Sequence, residues 1–188
     1  LEIKFKKAKY KIYLNLIGKI QVKNILMAII AANNSGIEFK KILKILPRIT
    51  SVEGRLEKIG KIHNNSKVIL DYAHTPAALE SALSNLKEQF PSNKINLIFG
   101  CGGDRDFKKR SLMGKIAEKY SNEIYLTDDN PRNEKPFEIR NEIKKGIKNK
   151  RIHEIPDRKK AIQEAVKNLK TGDILLVAGK GHEKTQDY

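Results

Sequence analysis

One cysteine, no tryptophan and no apolar run approaching the length of a bilayer mark this 188-residue sequence by what it lacks. The longest apolar stretches, Ile25–Ala32 and Ile174–Ala178, fall far short of the roughly 20 residues that a membrane-spanning helix needs, so no transmembrane helix is expected. Leu1–Tyr10 carries scattered lysines without an apolar segment followed by small residues. It does not resemble a secretory signal, and the expected location is cytoplasmic. With Cys101 as the sole thiol there is no internal disulfide, which fits a reducing compartment. Acids are scarce beside bases: 22 Asp and Glu stand against 38 Lys and Arg, a net charge of +16. Clustered bases would suggest a nucleic-acid-binding module acting through counterion release. Here the lysines are spread along the whole chain among isoleucine and asparagine, the pattern of solvated outer faces, so no nucleic-acid partner is expected. Hydrophobic residues at 39% suffice to bury a core, which excludes global disorder.

What is present is regular. Alternating apolar residues over the first eighteen positions read as two strands or one bent strand. Val22–Ala32 has helical spacing and ends at Asn33, Asn34 and Gly36, and a second helix over Glu38–Leu46 is stopped by Pro47. The stretch Pro47–Gly54 is a candidate boundary. Beyond it, short apolar runs at Lys67–Tyr72, Ile95–Phe99, Glu123–Thr127 and Asp173–Ala178 alternate with helical patterns at Pro76–Gln89, Lys109–Tyr120, Pro136–Ile147 and Arg158–Leu169. That alternation predicts an α/β fold: a Rossmann-like, doubly wound, mostly parallel sheet.

Each of the four runs is followed by a polar segment: DYAHTP (71–76), GCGGDRD (100–106), TDDNPR (127–132) and AGKGHE (178–183). In an open parallel sheet the carboxyl ends of the strands share one edge, where ligands bind, so the four segments are expected to converge there. Thr75 and Pro76 also read as the cap and first residue of the next helix. The glycines at 100–103 suit either a tight turn or a close backbone approach to a ligand. Asp129–Arg132 is either a turn with proline at its corner or a clamp for a zwitterion, arginine on the carboxylate and aspartate on the ammonium. Gly179–Glu183 lacks the G-K-[ST] of a phosphate loop. His74 and His182 lack ligand spacing, so no metal site is expected. Cys101 reads as a small turn residue, not a nucleophile, because no base adjoins it.

These motifs, in this order and together with KRSLMG (109–114), GRLE (54–57) and QVKN (21–24), make the sequence resemble the Mur ligases, in particular those that add meso-diaminopimelate. The resemblance covers nearly the whole chain. It implies that residues 1–51 are the end of the central, ATP-binding domain and 52–188 the C-terminal, amino-acid-binding domain. The reaction implied is ATP-dependent activation of the D-glutamate γ-carboxylate of UDP-MurNAc-L-Ala-D-Glu as an acyl phosphate, attacked by the amine of meso-diaminopimelate, in peptidoglycan synthesis. ATP and magnesium would be held mainly by an upstream region, no catalytic residue is expected in this stretch, and the piece alone is expected to be inactive. By the same resemblance Arg105, Asp129, Asn130, Pro131, Arg132, Gly179 and Glu183 contact meso-diaminopimelate, and Asn24, Arg55, Asp71 and His74 contact the nucleotide. A folylpolyglutamate-type or cyanophycin-type ligase is the related alternative, disfavoured by the DNPR turn.

Overall fold

The computed structural model describes residues 1–62, 64–149, 151–183 and 185–187. The chain opens with an antiparallel hairpin, β1 (Glu2–Phe5) and β2 (Ala8–Lys11), then helices α1 (Lys19–Asn34) and α2 (Phe39–Ile45) and a single 3₁₀ turn, Leu46–Arg48, that carries Pro47 at its start instead of stopping before it. Ile3, Ile12, Ile25, Ile29, Phe39, Ile42 and Leu46 form a small core of their own. Phe39 closes it with a ring stacked on Phe5, centroids 3.9 Å apart.

The remaining strands are β3 (Glu57–Lys61), β4 (Lys67–Asp71), β5 (Ile95–Phe99), β6 (Glu123–Leu126), β7 (Ile152–Glu154) and β8 (Ile174–Ala178), with helices α3 (Pro76–Gln89), α4 (Lys108–Tyr120), α5 (Pro136–Lys144) and α6 (Arg158–Lys167). They build one six-stranded sheet in the order β3-β4-β8-β5-β6-β7. All its pairings are parallel except β3 with β4. The doubly wound, mostly parallel sheet is therefore as the sequence pattern predicts. β5 and β8 are buried at every position because both their faces are covered, which is why they read as unbroken apolar runs.

The winding follows from the handedness of parallel crossovers. From β4 to β5, β6 and β7 the chain moves one way across the sheet, and α3, α4 and α5 pack on one face around Leu79, Leu83, Met113 and Ile143. From β7 it returns to β8, and α6 lies on the opposite face with Ala165 and Leu169 against Ile98, Tyr125 and Leu175. The return leg inserts β8 between β4 and β5, so the loop after it is flanked by the loops after those two strands. Thr75 caps α3, its hydroxyl accepting from Ala78 N at 3.3 Å with Pro76 in the first turn. No described helix is long and apolar enough to cross a membrane.

Two strands escape the sequence pattern. β3 (EKIGK) is an edge strand with a bulge between Lys58 and Gly60, and β7 (IHE) is a three-residue edge at the other side. Both are held by pairing with a neighbour and not by an apolar run of their own.

Candidate functional site at the carboxyl edge

Four polar loops meet at the carboxyl ends of β4, β5, β6 and β8. The loops after β5 and β6 are laced along their length. Gly103 N donates to Asn130 O at 2.9 Å, Arg132 Nη1 donates back to Gly103 O at 2.7 Å, and Asn133 donates to the Asp104 carboxylate through both its backbone and side-chain nitrogens. A Cβ added to Gly103 would stand 1.9 Å from Pro131 O. The close approach here is of one loop to another: Gly103 lets the β5 loop backbone lie against the β6 loop. Asp104 and Arg132 pay for that contact with left-handed backbone, φ 50° and 51°, a strained region for a residue with a side chain.

Underneath, Arg110 of α4 is 1% exposed. Its Nη1 and Nη2 each donate to Glu134 at 2.8 Å, Nη1 also to Glu142 of α5 at 2.9 Å, and Nη2 to Gly102 O at 3.2 Å. The Glu134 carboxylate accepts Asp104 N as well, and the Arg110 guanidinium holds it below the ordinary glutamate range. One guanidinium thus fixes both laced loops from below.

The loop after β8 crosses to the loop after β6 through Lys180, which is 7% exposed. Its ammonium donates to Asn130 Oδ1 at 3.0 Å and Glu183 Oε2 at 3.1 Å, with Asp129 Oδ1 at 3.6 Å. The Tyr72 hydroxyl interacts with the Glu183 carboxylate as well. Burial works against the Glu183 carboxylate, yet Lys180 and Tyr72 together hold it below the ordinary range. Gly179, at φ 110°, places its N–H on Asp71 O at 3.1 Å, and Asp129 Oδ2 lies where a side chain at 179 would project.

On the other side of β4, the turn Gly54–Leu56 is clamped by Asp71, whose carboxylate accepts Leu56 N and Ala73 N, both at 2.8 Å. Burial nonetheless raises the Asp71 carboxyl above its usual range, the two amides and Arg55 only partly offsetting it. Gly54, at φ 68°, passes so close to the β8 loop that a Cβ there would lie 2.5 Å from His182 N. Arg55 extends over the Tyr72 ring, 4.5 Å to its centroid, while His182 stacks on that ring and His74 meets it edge-on.

Of the sequence-predicted nucleotide residues, Asn24, Arg55 and Asp71 line one cleft of about 390 Å³ between α1 and α3, with Gln21 and Ser81. His74 does not line it; its ring is turned onto Tyr72, with Nδ1 3.0 Å from Tyr72 O. That cleft is roomy enough for a nucleoside. Among the described residues no three His, Cys, Asp or Glu side chains group as metal ligands, and no step is assigned to a metal here. Of the predicted amino-acid residues, Asp129, Asn130, Gly179 and Glu183 are brought together around Lys180. Arg132 and Pro131 sit in the laced turn, Pro131 contributing its backbone. Arg105 stands exposed on the β5 loop with no hydrogen-bond or ion-pair partner among the described residues. Cys101 is buried against Met113 Sδ at 3.6 Å and its thiol is pushed up to about 12 by burial, which suits a packing residue and not a nucleophile.

Arg110, Tyr72 and Lys180 are the site residues the sequence pattern missed. Their roles depend on acceptors from distant segments. All three lie inside motifs already quoted, DYAHTP, KRSLMG and AGKGHE, but a motif does not say which distant acceptor its residue meets.

A Rossmann-like parallel sheet with polar loops and a cleft gathered at its carboxyl edge places this chain among the α/β proteins that bind ligands at that edge. Comparison narrows the class: residues 54–181 match the Mur ligase, glutamate ligase domain family, and the chain belongs to it. It is 46% identical over 173 residues to the UDP-N-acetylmuramoyl-L-alanyl-D-glutamate–2,6-diaminopimelate ligase of Rickettsia felis, a match covering 92% of this chain and 32% of the relative. It is 49% identical over 172 residues to the ligase of the same name from Buchnera aphidicola, covering 91% and 34%. A solved structure of a 2,6-diaminopimelate ligase superposes with TM-score 0.73 at 38% identity, covering 97% of this chain and 37% of that one. The chain spans about a third of the length of the relatives it matches.

Proposed function

We propose that this chain is the amino-acid-binding part of an ATP-dependent ligase that adds meso-diaminopimelate to the D-glutamate of UDP-MurNAc-L-Ala-D-Glu in the cytoplasm. In this reading residues 1–51 belong to the ATP-binding domain and 52–188 form the amino-acid domain. The observation that carries it is that loops at one sheet edge carry both charge signs: Arg105 after β5, Asp129 and Arg132 after β6, and Glu183 after β8. Arg132 spends Nη1 on Gly103 O and Asn130 O, while its Nε and Nη2 have no partner among the described residues. That free edge suits a carboxylate in bidentate geometry. Asp129 and Glu183 offer acceptors for an ammonium. Diaminopimelate carries an amino-carboxylate at each end, whereas lysine would leave the arginine edge unpaired.

In the ligation, ATP would supply phosphoryl activation of the glutamate carboxylate. This chain's residues hold the incoming amino acid by its far end, leaving its other amine in line with the activated carbonyl, and the rigid loop lacing restricts its approach. Asn24, Arg55 and Asp71 would line the nucleotide side. The 188-residue chain by itself is expected to give no ATP-dependent ligation in a phosphate-release assay, and turnover would place catalytic machinery here.

Isothermal titration of this chain should give meso-diaminopimelate binding about tenfold or more tighter than L-lysine, the loss of one charge-assisted bidentate contact. Arg132→Lys should remove most of that preference. Equal affinity for the two amino acids in the unmodified chain would overturn the reading. A folylpolyglutamate-type role would leave neither amino acid bound.

A further inference from the structure

We propose that Lys180 is a positioning residue for the amino-acid site, tying Asp129 and Asn130 of the β6 loop to Glu183 of the β8 loop so that the ammonium-binding acceptors stand in one fixed arrangement. The inference rests on the amino-acid reading above and deepens it.

Lys180 is nine-tenths buried, and its ammonium has three protons to place. Three acceptors surround it: Asn130 Oδ1 at 3.0 Å, Glu183 Oε2 at 3.1 Å and Asp129 Oδ1 at 3.6 Å. Two of its protons are thus donated within the protein, and the Asp129 carboxylate pairs with its charge, so its part is to hold these acceptors together. Two consequences follow for the site. The first concerns charge. Asp129 and Glu183 together would present two negative charges to a single substrate ammonium, an arrangement better suited to a divalent cation; with Lys180 among them the cluster keeps a net single negative charge, which matches one ammonium. The second concerns shape. Glu183 lies on an exposed loop end, and an unrestrained glutamate there would sample several rotamers. Lys180 holds its carboxylate by a hydrogen bond of 3.1 Å, and the Tyr72 hydroxyl interacts with it as well. Asn130 is fixed in the same way, its Oδ1 accepting from Lys180 and from Asp187 N at 3.1 Å.

The groups that face Glu183 are Lys180 and His182 on its own loop and Tyr72 after β4, with Asp129 after β6 beyond Lys180. Removing the Lys180 charge therefore lets the Glu183 carboxyl rise, so that acid protonates it and an ammonium ligand loses its acceptor. This supplies a readout that a purely structural lysine would not move.

The test is isothermal titration of meso-diaminopimelate into this chain, unmodified and as Lys180→Met and Lys180→Arg, at about pH 7.5 and about pH 5.5, with melting temperature as the folding control. Expected for Lys180→Met is a dissociation constant raised about tenfold or more at the higher pH, a further rise at the lower pH that exceeds the change in the unmodified chain, and substantial recovery in Lys180→Arg. Unchanged affinity in Lys180→Met overturns the proposal, as does a loss that is the same at both pH values and is not recovered by arginine. Should Lys180→Met fail to fold, nitrogen-15 signals of the lysine ammonium groups and carbon-13 signals of the glutamate carboxylates in the unmodified chain decide the matter. The Lys180 signal and the Glu183 carboxylate signal must both shift on adding meso-diaminopimelate, and silence of either while ligand binds overturns the proposal. Absence of binding by the unmodified chain is a different result, because it overturns the amino-acid reading itself without any variant.

Discussion

Arg110→Met is expected to cost about 3 kcal/mol of folding stability, because it leaves Glu134 and Glu142 facing a protein interior with no cation. Methionine fills much of the arginine stem's volume, so the loss reports the charge and not a cavity. Glu134 and Glu142 retain some solvent access, with side chains 32% and 37% exposed, which keeps the figure at the low end of what breaking a buried pair costs. Urea denaturation of the unmodified chain and the variant measures it. A loss under about 1 kcal/mol would mean that water already supports both carboxylates.

The acid limb gives a second reading of the same contact. Glu134 titrates below its ordinary value of 4.5, first because Arg110 donates to it and further because Asp104 N does. A carboxylate depressed in the folded state contributes stability that is present above the unfolded value and lost as pH falls through the folded one. The unmodified chain should therefore lose stability steeply below about pH 4.5, and Arg110→Met should lose it more gently over that window.

The second large effect belongs to Gly103. Gly103→Ala puts a methyl group 1.9 Å from Pro131 O and 2.8 Å from Pro131 C, and both neighbours are backbone that no rotamer change can move aside. The loops after β5 and β6 must part, at an expected cost of about 2–3 kcal/mol, with the Gly103 N to Asn130 O bond lost in the process. Gly60→Ala is the control, since nothing lies within 4 Å of its added methyl group. It should be neutral within about 0.5 kcal/mol in the same denaturation experiment. Because the displaced turn carries Arg132, Gly103→Ala should also abolish amino-acid binding at temperatures where the fold survives. A variant as stable as the parent would mean that the two loops are not packed as closely as their hydrogen bonds require.

These two positions show where sequence is informative and where it stops being so. Strands β5 and β8 were legible because burial on both faces forces the runs INLIF and ILLVA, β4 and β6 because each still carries a short apolar run, and the polar followers of all four had to share an edge. β3 and β7 were not, since an edge strand takes its register from one neighbour and EKIGK or IHE carries no apolar run. At the site, Asp129, Arg132 and Glu183 were visible as charged residues on turns. What the glycines were for was not visible from the sequence: it could not say whether Gly103 faced a ligand or Pro131. Arg110 lies in a helical pattern where an arginine ordinarily marks the wet face, and its burial follows only from Glu134, 24 positions later, and Glu142, 32 positions later. Lys180 was similarly masked, because its acceptor Asn130 stands 50 positions earlier.

The insertion of β8 between β4 and β5 has a consequence for how the molecule comes into being. Of the six described strands of this sheet, the one latest in sequence, β8, is the one on which the middle depends, for β4 and β5 each pair with it over four or more residues and do not pair with each other. During synthesis the first five strands of the sheet must wait, with their central edges unpaired, until residue 178 has emerged. Such long-range closure is slow and exposes sticky edges to other chains. The net charge of +16 works against that hazard, because growing chains of like charge repel one another before the central strand arrives.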